Sequence, residues 1–279
     1  MHVRPPHHGS TERRLGEARQ GLHLHFNPVT GIAGDMAVAA LVDAGVPDQV
    51  VLEAVAAMRV PDLVVGFQAD QSLPGLHFEV SWATSDHGHT QRHRHAHTTP
   101  PHAHHHHRPY AEIRRMLQAA SLPDDCRALA ERMFARLAVV EARIHERAVE
   151  DVTFHEVGAF DSIADIVAAA AAIAWLAPTS ISASPPLVGS GTVECSHGTL
   201  PVPAPATASL LDGFAMLRGG EGELTTPTGA LVLTSLVEKF GLPPPLRVLS
   251  QGYGIGTRRL HGKPNGLAVV LGEVVSSTS

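Results

Sequence analysis

The chain has 279 residues, 44% hydrophobic and 17% charged, with a formal charge of −6 when its 20 histidines are neutral. That length suffices for a core of its own, and no apolar run reaches the ~18–20 residues needed to span a bilayer. Protonating half of the histidines would carry the charge from −6 to about +4, a balance that argues against a permanently basic nucleic-acid surface.

Residues 1–20 are polar, resemble no signal peptide and read as a disordered tail. Two cysteines, Cys126 and Cys195, allow at most one bridge, which does not suggest a secreted disulfide scaffold. The expectation is a cytoplasmic protein with neither membrane nor nucleic-acid partners.

An N-terminal α/β segment spans 21–84. Leu22-His23-Leu24-His25-Phe26 alternates as a half-buried strand does. A loop then leads into a helix from about Met36 to Ala44, stopped by Gly45, and a second helix from Asp48 to Met58. Strands follow near Leu63–Gln68 and His77–Ala83, joined through Pro74-Gly75.

Composition then shifts. Residues 85–108 are almost devoid of apolar side chains and hold ten histidines: His87, His89, His93, His95, His97, His102, His104, His105, His106 and His107. Such a stretch buries too little surface to offset its ordering entropy and reads as a disordered loop. Imidazole suits nickel, copper and zinc, so the segment is a metal-binding candidate, suited to storage or delivery more than to catalysis. A solvated linker without function is the competing reading.

Residues 109–275 form a second α/β segment, expected either to stand alone or to pack with 21–84. Pro109 and Pro123 each open a helix, and Cys126, Leu129, Met133, Leu137, Val140 and Ile144 make one apolar stripe along the second. A further helix runs from about Asp161 to Leu176. Helices near Ala204–Leu211 and Gly229–Phe240 alternate with strands near Ile181–Val188, Leu246–Ser250 and Leu267–Val275. The fold class expected is α+β, a mixed sheet with helices, interrupted by the His-rich loop.

Three constellations can carry chemistry. After Ser162 the third helix is apolar on every side, with Asp165 its only charge, and Asp161 lies four residues earlier on the same face. A buried lone carboxylate costs several kcal/mol, so Asp165 should be paired or hold a cation. With His155 and Glu156 just upstream, these four form a candidate metal or acid–base cluster. A helix cap for Asp161 and a buried salt bridge for Asp165 remain the alternatives.

Cys195 and His197 sit in a Gly-flanked loop after Gly189-Ser190-Gly191 and can ligate a soft or borderline metal. A small buried cysteine beside a backbone-bonded histidine explains them equally well. Finally, three Gly- or hydroxyl-rich turns could grip a phosphate. They are Thr30-Gly31-Ile32-Ala33-Gly34-Asp35, Thr225-Thr226-Pro227-Thr228-Gly229, and Gly252-Tyr253-Gly254-Ile255-Gly256-Thr257-Arg258.

These motifs occur together and in order with Phe26-Asn27-Pro28, His155-Glu156-Val157-Gly158-Ala159, Cys195-Ser196-His197-Gly198, Leu200-Pro201-Val202-Pro203-Ala204-Pro205-Ala206-Thr207 and Pro264-Asn265. In this the chain resembles the LarC-type nickel-insertion proteins of nickel-pincer cofactor biosynthesis, over about Leu24 to Glu273. The resemblance implies a nickel chelatase, a lyase. It would insert Ni2+ between two sulfurs and a ring carbon of pyridinium-3,5-bisthiocarboxylic acid mononucleotide, displacing a ring proton.

On that reading Asp35, His155, Glu156, Asp161 and Asp165 are catalytic candidates. Thr30, Gly31, Gly34, Gly189, Ser190, Gly191, Thr226, Thr228, Gly229 and Arg258 would hold the nucleotide, and the ten loop histidines with Cys195 and His197 would bind metal. Asn27 stands where the family usually carries Asp. Family members generally continue into a C-terminal module associated with CTP and Mn2+, so a separately supplied module, or a nickel-pincer-dependent apoenzyme, is the expected partner. A nickel storage or metallochaperone protein is the alternative function, and a metal-dependent phosphoester hydrolase the second.

Overall fold

A computed structural model describes residues 21–82, 108–154, 160–195, 198–258 and 265–275. The His-rich loop up to His107, the tail, His155, Glu156 and His197 lie outside the described residues.

The chain runs β1 (Leu22–Asn27), α1 (Gly34–Asp43), α2 (Asp48–Ala57), β2 (Leu63–Ala69) and β3 (Leu76–Trp82). After the His-rich segment come β4 (Arg108–Pro109), α3 (Tyr110–Ala119), α4 (Asp124–Ile144), β5 (Thr153–Phe154) and α5 (Phe160–Leu176). The remainder holds β6 (Ser180–Ala183), β7 (Gly189–Ser190), β8 (Thr192–Cys195), β9 (Gly198–Pro201), α6 (Pro205–Leu210), β10 (Gly222–Glu223), α7 (Pro227–Leu236), β11 (Leu246–Ile255) and β12 (Gly266–Val274).

One six-stranded sheet, in the order β2-β3-β11-β12-β1-β6, unites the two α/β segments. β1 pairs antiparallel with β12 and parallel with β6, and β3 pairs parallel with β11, so the sheet is mixed and the class is α+β. Leu22, Leu24 and Phe26 point into the core with Leu267, Val269 and Leu271 of β12. Helix α1 packs on β11, β3 and β12, and α5 packs in turn on α1, α2 and α4.

Local chemistry explains the helices. Alanine-rich α5 combines high helix propensity with an apolar surface on all sides, the pattern of a buried helix. From Ile163 to Ile173 every residue is buried. The stripe on α4 is buried from Cys126 to Val140, and Ile144 is partly buried against it.

Four expectations need correction. The strand expected over Ile181–Val188 ends at Ala183, because Pro185 and Pro186 have no N–H to extend a ladder. The helix expected to reach Phe240 stops at Leu236. The apparent glycine-rich turn at Gly252-Tyr253-Gly254 is strand instead, since β11 continues to Ile255. A Cβ at Gly252 or Gly254 would collide with the α1 backbone at Ala40 or Met36, so these glycines let helix and strand approach closely. Finally, β1 is not half-buried: His23 and His25 are 3% and 4% exposed.

Candidate functional site

The amino ends of α1 and α7 and the second turn of α5 meet in the interior. Asp165 lies on α5 with 5% of its surface exposed, and its Oδ1 has no hydrogen-bond partner. Burial pushes the Asp165 carboxyl well above the ordinary carboxylate range. The charges of Asp35 and Asp161 push it further, against a smaller opposing effect from the Asp35 backbone N–H that donates to it. Asp165 thus feels both neighbouring carboxylates, one of them the Asp161 that the four-residue spacing on α5 placed on its face.

Asp35, in the first turn of α1, is 7% exposed and its Oδ1 accepts the Met36 N–H at 2.8 Å. Asp161 likewise accepts the Ser162 N–H at 2.8 Å. Gly34 brings α1 and α5 together: a Cβ there would stand 2.6 Å from Asp165 Oδ2.

The third wall is the α7 cap. Thr226 caps α7 by accepting the Gly229 N–H at 3.2 Å, with Pro227 in the first turn. Thr228 Oγ1 is 2.9 Å from Thr226 Oγ1 and accepts the Gly34 N–H at 3.2 Å, tying the two helix starts together. Gly229 faces the Ile32 carbonyl too closely for any side chain.

The other candidate residues lie along the segment that feeds this cap. Gly31 has a φ of +99° and abuts the Leu224 backbone, leaving no room for a Cβ. Ile32 N–H donates to Leu224 O at 3.0 Å, and Leu224 N–H to Val188 O at 3.2 Å. Gly189 and Ser190 pair with Glu223 and Gly222, and Ser190 Oγ donates to Gly220 O at 2.5 Å. Arg258 lies over Gly222 and donates from one guanidinium nitrogen to Glu223 O at 3.2 Å. Gly191 adopts a φ of +90° between β7 and β8.

Thr30 turns away from this group: its hydroxyl donates to Gly266 O at 2.8 Å and accepts the Gly266 N–H. Cys195 ends β8, half-buried, with its Sγ donating to Gly198 O at 3.2 Å. Cys126 is core, and burial pushes its thiol up to about 11. Among the described residues no three or more His, Cys, Asp and Glu side chains are grouped so as to hold a metal ion.

Thr225, first residue of the candidate turn, is wholly buried with its hydroxyl donating to Leu187 O; sequence reasoning passed over the His23–His25 pair. The signal for that pair was present as two period-two patterns, His-x-His in one strand and Ser180, Ser182 and Ser184 in the other.

Among the described residues no helix is long and apolar enough to cross a membrane. The sequence profile of the nickel insertion protein family matches residues 24–279. A protein of Geobacter sulfurreducens named for nickel insertion is 44% identical over 253 residues, covering 90% of this chain and 61% of the relative. A similarly named protein of Myxococcus xanthus is 37% identical, over 92% of this chain and 62% of the relative. The pyridinium-3,5-bisthiocarboxylic acid mononucleotide nickel insertion protein of Geobacillus kaustophilus is 39% identical, over 92% and 61%. The chain therefore spans about three fifths of the length of these relatives. No solved structure matches it significantly.

Proposed function

The chain belongs to the nickel insertion protein family, and from that premise we propose that it inserts Ni2+ into pyridinium-3,5-bisthiocarboxylic acid mononucleotide. The observation that carries this reading is Asp165, a carboxylate sealed in an apolar helix with one oxygen unpartnered and two further aspartates beside it. An isolated buried charge is too costly to keep without a compensating role. A divalent cation, or a proton taken from a reacting group, supplies that compensation.

On this reading nickel is a substrate. The loop histidines, His87 to His107, gather it, and Cys195 and His197 pass it toward the bound mononucleotide, where Asp35, Asp161 and Asp165, with His155 and Glu156, serve as the acid–base groups. Nickel forms bonds to two sulfurs and a ring carbon, and the ring C–H bond breaks, leaving its electron pair on carbon. One carboxylate takes the proton. Arg258 offers its remaining guanidinium N–H groups to the nucleotide phosphate. The glycine turns at Gly31, Gly34, Gly189, Gly191 and Gly229, with Ser190, Thr226 and Thr228, keep the backbone near it rigid. Thr30 holds the loop to β12.

The test is a nickel-insertion assay read by mass spectrometry. The Ni2+-loaded chain is incubated with the mononucleotide, with and without CTP and Mn2+. The expected result is metallated product from the wild type, falling ~10²-fold or more in Asp165→Asn. Product without CTP would make CTP and Mn2+ dispensable for the insertion step. Tight nickel binding with no product in either condition would replace this reading with storage and delivery, in which a second protein completes insertion.

A further inference from the structure

The edge of the sheet carries a chain of hydrogen bonds that the insertion site does not use. β1 and β6 run parallel, with His23 opposite Ser180 and His25 opposite Ser182. His23 Nδ1 lies 2.7 Å from Ser180 Oγ, and its Nε2 lies 2.7 Å from Ser182 Oγ. His25 Nδ1 lies 2.7 Å from that same Ser182 oxygen, and its Nε2 lies 3.2 Å from Ser184 Oγ. Four hydrogen bonds string five side chains into one line.

Counting protons along the line restricts it sharply. Burial lowers both imidazoles, His25 to about 4, so at neutral pH each ring carries a single N–H. Their register partners on β12, Gly272 and Val270, are uncharged. Ser182 has one hydroxyl proton and serves two rings, so it donates to one and accepts from the other. If it donates to His25 Nδ1, then His23 Nε2–H donates to Ser182, Ser180 donates to His23 Nδ1, and His25 Nε2–H donates to Ser184. The reverse polarity is the only other arrangement that spends the Ser182 proton within the line. In both, the two rings share one tautomer, and a proton entering at one end and leaving at the other converts one polarity into the other.

The two ends lie in different surroundings. Ser180 is exposed at the start of β6. Ser184 stands at the carboxyl edge of the parallel pair, where its N–H donates to Phe26 O at 2.9 Å. There β1 passes into the loop that leads to α1, whose first turn holds Asp35.

We propose that Ser180, His23, Ser182, His25 and Ser184 form a proton relay between solvent and the sheet edge from which the chain leads into α1, the helix that carries Asp35. Its task rests on the insertion reading, in which one ring proton is released for each nickel bound. A proton reaching Ser184 displaces its hydroxyl proton onto His25 Nε2, and His25 Nδ1–H passes to Ser182. The Ser182 proton moves to His23 Nε2, His23 Nδ1–H passes to Ser180, and Ser180 releases a proton to water. One proton enters, one leaves, and neither ring ends charged.

The experiment uses the full chain loaded with Ni2+. Single-turnover insertion is timed in H2O and D2O for the wild type, Ser182→Ala and Ser182→Thr, and the histidine tautomers are read by 15N NMR. The relay predicts one shared tautomer in the wild type. Ser182→Ala should slow insertion at least about tenfold at unchanged substrate half-saturation, and uncouple the tautomers. Ser182→Thr, which keeps the hydroxyl, should restore rate, isotope effect and coupling. Opposite tautomers in the wild type, or a Ser182→Ala variant that inserts at the wild-type rate, would overturn the relay. So would a rate loss that threonine fails to rescue. A wild type that inserts no nickel overturns the functional reading instead, and the tautomer coupling alone then decides the relay.

Discussion

Replacing His25 by glutamine gives the most direct measure of what the buried histidine pair does to the fold. Burial, with the neighbouring His23 adding repulsion, holds the His25 imidazole at about 4 against an ordinary 6.5. Between those values the unfolded chain binds more protons than the folded one. The stabilisation from keeping His25 neutral is therefore complete above pH 6.5, is lost as pH falls through the window, and levels off below about 4. At ~1.36 kcal/mol for each pH unit separating the folded and unfolded values, the loss amounts to about 3 kcal/mol. That is a large fraction of the 5–15 kcal/mol typical of a whole domain.

The His25→Gln side chain does not titrate and retains one donor group and one acceptor for Ser182 and Ser184. Urea unfolding of both proteins between about pH 8 and pH 4 gives the difference in stability, in which the titrations of groups remote from His25 cancel, leaving His25 and its coupling to His23. The wild type should lose about 3 kcal/mol relative to the variant across that range. A difference that stays constant, or that changes only on the alkaline side, would refute the reasoning, since it would mean that His25 is protonated as easily folded as unfolded.

Two further tests address the interior. Gly34→Ala places a Cβ 2.6 Å from Asp165 Oδ2 and 2.8 Å from Asp165 Cβ, between two packed helices. Overpacking of this kind should cost about 1–3 kcal/mol, read as a lower urea midpoint at unchanged slope, and an unshifted midpoint would show that α1 and α5 have room to part. The two thiols should also separate kinetically. Cys195 is half-buried, whereas Cys126 is buried and raised to about 11, so at neutral pH one thiol per chain should react with a disulfide reagent and the second only in denaturant. Equal reactivity of both would contradict the placement of Cys126 in the core.

Much of this molecule is legible without coordinates, because hydrophobic periodicity reports which side of an element is apolar. The α4 stripe, the starts of α2, α3 and α4 at Asp48 and after two prolines, and the β2–β3 pair all follow from spacing. Asp165 stands out for the same reason: the one charge in a stretch of α5 that is apolar all round after Ser162 has no solvated side to turn to, and it is buried.

Periodicity does not say what an element packs against, and there the tertiary structure decides. Gly252-Tyr253-Gly254 has the composition of a turn, yet it is strand because α1 presses on the β11 backbone where a side chain would not fit. Alternation in β1 assigned His23 and His25 to a solvated face. Their burial depends on serines 157 to 159 residues away that satisfy both nitrogens of each ring. Asp35 meets Asp165 only because Gly34 and the Thr228 hydroxyl lock the α1 start against α5 and α7. A polar group can be buried only where its partners are also placed, and the placing of partners so distant in sequence is a property of the folded chain alone.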